Sequence, residues 1–142
     1  MRRRGRWVVS FASLAAVFAA NATFFPILVT ATFIIVLVVH EAGHYLMARS
    51  LGNDAYPPVF LPLPLILVGF VSVAHDTPRN MRAIIRTGPM AGVIAAAILT
   101  MISLTLHIPL AAVAAGIALF WECWSLTLGG DGRRYRQEKR KQ

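Results

Sequence analysis

Charge is what this sequence most conspicuously lacks. Only 14% of its 142 residues are charged, against roughly 25% in an average soluble domain. Residues 7–40 and 87–121 contain no Asp, Glu, Lys or Arg at all. With 57% apolar residues and a mean hydropathy of +0.64, these gaps exclude a disordered tail and a soluble globular enzyme. Cysteine is nearly missing too: Cys123 stands alone, so a disulfide scaffold is excluded. Acidic residues are scarce, six against fourteen basic ones, which gives a net charge of +8 and a pI of about 11.1. Such a balance ordinarily points to nucleic acid, because Lys and Arg neutralise phosphates and release counterions. On so apolar a chain, the placement of the basic residues decides instead.

The two uncharged runs, of 34 and 35 residues, are each long enough for more than one membrane span, since a span takes about 20 residues at 1.5 Å rise. Polar residues and Pro26 punctuate the first run near Asn21–Pro26, and His107-Ile108-Pro109 punctuates the second, because proline cannot donate within a helix and restricts its predecessor. Four spans follow, at about 7–22, 26–49, 83–106 and 109–128. Four spans put both termini and the long central connection on one side. All fourteen basic residues fall there: Arg2, Arg3, Arg4 and Arg6; Arg49, Arg79, Arg82 and Arg86; and Arg133, Arg134, Arg136, Lys139, Arg140 and Lys141. Cytoplasmic flanks collect Lys and Arg, so both termini are expected in the cytoplasm, with the basic tail 132–142 against anionic lipid head groups and no role in nucleic-acid binding. A cleaved leader is the rival reading of the N-terminus, but it would put the basic tail on the wrong side of three remaining spans.

The connection between the second and third spans is not a plain polar loop. Its prolines, at 57, 58, 62 and 64, prevent a continuous helix, and residues 65–73 read as a strand with a hairpin partner just before it. The fold class expected is therefore an all-α membrane protein of about four transmembrane helices with a short β-hairpin between the second and third, forming a single membrane-embedded domain.

Near the end of the second span stands His40-Glu41-Ala42-Gly43-His44, an H-E-x-x-H pattern. On a helix the two histidines lie one turn apart on one face and can bind one Zn²⁺, and Glu41 can take a proton from a metal-activated water. The pattern arises by chance in on the order of one chain in a few hundred of this length, and ionisable residues within a span are costly and usually functional. Measured from Arg49, His44 and His40 lie about 8 and 14 Å deep. A third protein ligand is needed, and Glu122, Asp131, Asp76, His75 and Asp54 are available. Depth favours Glu122, within the fourth span; Asp131 follows Gly129-Gly130, where the chain can leave the helix and fold back.

Three segments in order, His40-Glu41-Ala42-Gly43-His44, then Arg86-Thr87-Gly88-Pro89-Met90-Ala91-Gly92, then Gly130-Asp131-Gly132-Arg133, resemble the site-2 protease family of intramembrane zinc metalloproteases. The likeness covers about residues 33–134, and Gly69-Phe70-Val71 resembles the strand segment between that family's first two motifs. The resemblance implies one Zn²⁺ per chain held by His40, His44 and Asp131, with Glu41 as general base. It also implies a transmembrane-helix protein as substrate and a bacterial-type plasma membrane as location. Ser125 and Leu128 stand where the family has Asn and Pro, and Ser125 can still donate one hydrogen bond. Glu122 then has the role of accepting from a zinc-bound imidazole N–H, or of lying near substrate with Ser125. The alternative is a non-proteolytic relative that keeps the fold, and zinc or not, to bind helices or scaffold a partner. His75-Asp76 and His107 read as solvated loop residues, Trp7, Trp121 and Trp124 as interface or packing residues, and Gly88-Pro89 as a helix start that permits close helix packing.

Overall fold

A computed structural model describes residues 3–63, 66–74 and 77–140. His75 and Asp76, two of the ligand alternatives, lie outside them. The described elements are α1 (Arg3–Ala22), α2 (Ile27–Ser50), β1 (Val59–Leu63), β2 (Ile66–Phe70), α3 (Pro78–Thr105), α4 (Pro109–Thr127) and α5 (Gly130–Arg140). Four helices are long and apolar enough to cross a membrane, and the two strands form a small antiparallel sheet.

Short, well-defined caps separate the helices. α2 ends with Gly52 at φ +77, whose N–H bonds Arg49 O while the Asn53 N–H bonds Ala48 O. α3 ends the same way at His107, φ 55, with N–H bonds from His107 to Leu104 O and from Ile108 to Ser103 O. Both are double C-terminal closures around a left-handed residue. His107 is exposed and serves this turn.

Neighbouring helices alternate in direction. On α2, Gly43 meets Thr87 and Gly88 of α3, whereas Val36 packs with Ala96 of α3 and Ala118 of α4, so α2 and α3 run antiparallel. Gly92 against Glu122 and Ala96 against Ala118 give the same result for α3 and α4. Trp7 stacks edge-on against Tyr45, and Val17 packs on Ile34, which makes α1 antiparallel to α2. The core is built from small side chains. Ala111, Ala114, Ala115 and Ala118 are buried along α4, as expected where helices associate by close packing in an apolar solvent.

α3 begins earlier than the sequence suggests, and Gly88-Pro89 does not open it. The Thr77 hydroxyl accepts the Asn80 N–H at 3.3 Å and Pro78 occupies the first turn, a capped start that needs no second signal. Pro89 lies inside the helix and is fully buried. At Gly129-Gly130 the chain leaves α4 and folds back as expected, but residues 130–140 do so as a further helix, α5, packed on α3 and α4, rather than as an unstructured tail. Gly129 and Gly132 serve close approach, since a Cβ on them would come within 2.7 Å of Ser125 Cα and Leu126 O. Asp131 sits in α5's first turn, where the helix dipole favours an acid. Arg136 and Arg133 reach back to the Thr127 and Leu128 carbonyls at the end of α4.

The hairpin is present, with β2 ending at Phe70 rather than Val73. Beyond it the Asn53 side chain takes over the pairing, donating to Ala74 O at 2.9 Å and accepting from Ala74 N at 3.2 Å. Phe60 faces Gly69 in the register, and the Phe60 N–H points outward to Ser13 Oγ on α1 at 3.1 Å. Phe60 and Gly69 are thus a pair without mutual hydrogen bonds. Pro62 shares that parity, so its missing N–H costs the ladder nothing. α1 covers the outer edge of β1, and the N–H and C=O of Gly69 point away from β1 along the other edge of β2.

The α2–α3 crossing depends on Gly43, where a Cβ would sit 2.8 Å from Thr87 O and 3.0 Å from Gly88 Cα. Both are backbone atoms that cannot step aside. Gly43→Val is expected to destabilise the fold by about 1–3 kcal/mol through overpacking, read as a lowered thermal midpoint in detergent.

Candidate metal centre

The helical spacing of His40 and His44 brings their rings together, with centroids 4.9 Å apart. Each ring is fixed through Nδ1. His40 Nδ1 bonds Glu122 Oε2 of α4 at 2.7 Å, and His44 Nδ1 bonds the backbone carbonyl of Ile84 on α3 at 2.8 Å. Both Nε2 atoms are thereby turned to the same point, 3.2 Å from each other.

Asp131 completes the group. The first turn of α5 carries its Oδ2 to 3.3 Å from His40 Nε2 and 3.7 Å from His44 Nε2, and the Ser125 hydroxyl donates to the same oxygen at 3.4 Å. Three donor atoms therefore form a triangle with edges of 3.2, 3.3 and 3.7 Å. A tetrahedral Zn²⁺ with N and O donors at about 2.0–2.1 Å separates its ligands by about 3.3–3.4 Å. The arrangement fits such an ion and leaves a fourth position. Among the described residues, His40, His44 and Asp131 are the group of His, Cys, Asp or Glu side chains placed to share a metal.

Glu41 is buried, at 6% exposure, and lines the same cavity of about 510 Å³ as His40, Glu122, Ser125 and Asp131. β2 closes over it: a Cβ on Gly69 would fall 2.6 Å from Glu41 Cγ and 2.8 Å from Oε1. The rest of the wall is mostly apolar, with Phe25, Phe33, Ile117 and Trp121 among its residues. Ile117 and Trp121 are themselves well exposed on α4, so the cavity opens sideways between helices.

The six residues singled out from the sequence, His40, Glu41, His44, Glu122, Ser125 and Asp131, all meet here. Glu122 is at the right depth for a ligand, yet its carboxylate is on Nδ1 of His40, the nitrogen turned away from the triangle. Asp54 is elsewhere, exposed and paired with Arg49 at 3.2 Å. Sequence reasoning did not assign roles to the Ile84 carbonyl, Gly69 or Gly92. The glycines carried a signal, since each stands where a bulky neighbour would be expected. A backbone carbonyl carries none.

Comparison with models of known protein families, with curated proteins and with solved structures finds no match to this chain. The site rests on its geometry. The expected outcome is one zinc ion per chain in elemental analysis of the purified protein. Asp131→Ala and His44→Ala should each lower that stoichiometry sharply after dialysis against a mild chelator.

Proposed function

We propose that this chain is an intramembrane zinc endopeptidase of the site-2 protease type, cutting a peptide bond within or near a transmembrane helix of a protein substrate. The observation that carries the reading is the donor triangle of His40 Nε2, His44 Nε2 and Asp131 Oδ2, with the Glu41 carboxylate in the same cavity. His40, His44 and Asp131 would hold the ion. Bound there, zinc supplies Lewis acidity toward the scissile carbonyl and lowers the pKa of a water. Glu41 takes a proton from the attacking water as it adds to the carbonyl carbon, then passes it to the amine nitrogen as the C–N bond breaks. The Ser125 hydroxyl holds Asp131 in place.

The sideways opening suits a substrate that arrives from lipid. A helix presents no free carbonyl, so the substrate must unwind locally, and the open edge of β2 gives the extended segment a partner. Gly69, whose peptide groups point to that edge beside Glu41, aligns the segment by strand addition. The antiparallel alternation brings the described Arg-bearing helix ends to one end of the bundle, which this reading places in the cytoplasm against anionic lipid.

Ser125 and Leu128, in place of the family's Asn and Pro, favour the second reading, a membrane binding or scaffold protein that holds helices without cutting them. Co-expression with model transmembrane helices separates the two. Glu41→Gln should leave zinc content unchanged and reduce cleavage by about 10²–10⁴-fold. Cleavage by the purified variant at the rate of the unsubstituted protein would overturn the mechanism, and no cleavage by either, with helix capture retained, would favour the binder. Gly69→Val, which pushes a side chain onto the Glu41 carboxylate, should likewise lower cleavage while zinc stays bound.

A further inference from the structure

Glu122 is a carboxylate buried to 5% exposure in an otherwise uncharged face of α4, and the proposed hydrolysis gives it no step. Its position is nevertheless built. Oε2 accepts the Nδ1–H of His40 at 2.7 Å, and the carboxylate lies over Gly92 of α3, where a Cβ would come within 2.6 Å of Oε2 and 2.8 Å of Oε1. One helical turn earlier, Gly88 receives the His44 ring in the same manner, since a Cβ there would overlap Nε2, Cε1 and Cδ2. The glycines at positions 88 and 92 are therefore two seats on one face of α3, one for an imidazole and one for a carboxylate.

We propose that Glu122 is a positioning residue that tunes His40 as a metal ligand, and that Gly92 exists to seat it. The inference rests on the zinc site of the proposed function. A carboxylate on Nδ1–H fixes the tautomer that leaves the Nε2 lone pair free, holds the ring plane, and makes the imidazole a stronger donor. His44 receives only the neutral Ile84 carbonyl, so the two histidines are unequal ligands.

Zinc affinity, measured in detergent by competition with a chromophoric chelator, tests this directly. Glu122→Ala should weaken binding by about 10–100-fold. Glu122→Gln, whose amide oxygen still accepts the Nδ1–H but carries no charge, should fall between Ala and the unsubstituted protein. Substitution with Co²⁺ should show displaced visible absorption bands in Glu122→Ala, because the His40 donor strength has changed. Gly92→Ala should also weaken zinc binding, and should add nothing in a Glu122→Ala background, where no carboxylate remains to be displaced. Unchanged zinc affinity and cobalt bands in both Glu122 variants, with or without a lowered thermal midpoint, would make Glu122 a packing residue and overturn the proposal. Absence of zinc binding by the unsubstituted protein would instead overturn the function on which it rests.

Discussion

An apolar bundle imposes one requirement on every ionisable group inside it: the group must be paired, because burying an unpaired charge or polar atom costs several kcal/mol. Asp131 Oδ2 is where this protein meets that requirement. Three elements converge on the oxygen, α2 through both imidazoles, α4 through Ser125 and α5 through Asp131 itself. Remove the carboxylate and two inward-facing Nε2 atoms lose their shared partner. The short α5, the glycines at its start and the arginines that tie it to the end of α4 all act to deliver one oxygen to that point.

Close approach is the second constraint, and it explains why the chain uses so many small residues. Gly43 lets α2 touch the α3 backbone, Gly88 and Gly92 admit an imidazole and a carboxylate, and Gly69 lets a strand lie on Glu41. Together they compress six polar side chains into the space between four helices and a hairpin. A methyl group at any of these positions meets atoms closer than van der Waals contact permits. The glycines are therefore part of the site as much as the side chains they accommodate, although none carries a functional group.

Much of this was legible in the sequence, for local reasons. Uncharged runs and proline breaks locate four spans because span length and helix termination are properties of short segments, and the two histidines share a face because four residues make one turn. The hairpin was legible from its β-branched and aromatic run beside prolines. α5 was not, since Gly130–Arg140 has no apolar periodicity and begins with glycines. Its helix is completed by its dipole-matched ends and by contacts with α3 and α4. Depth along α4 placed Glu122 level with the histidines but could not say which ring nitrogen it would meet, because that depends on the rotation of α4 about its axis. Gly88-Pro89 read as a start because proline usually is one; buried inside α3, it instead sits beside the glycine seats where the helix meets the site.

On the proposed function, the hairpin meets a conflict that hydrolysis at such a place would face. Peptide substrates in a membrane come from the side, through lipid, whereas water comes from the end. A cavity open only sideways would admit the first and exclude the second. Here the apolar wall of Phe25, Phe33, Ile117 and Trp121 faces the side opening, and the polar cluster lies toward the end of the bundle where α2 finishes with Arg49. β2 lies against the polar cluster, with Gly69 where a side chain would meet the Glu41 carboxylate. Irregular backbone is tolerated at membrane depth only where protein or a cavity satisfies it. The Ser13 hydroxyl accepts from the outer edge of β1 at Phe60, and on the proposed function the far edge of β2 would take the extended substrate beside Glu41.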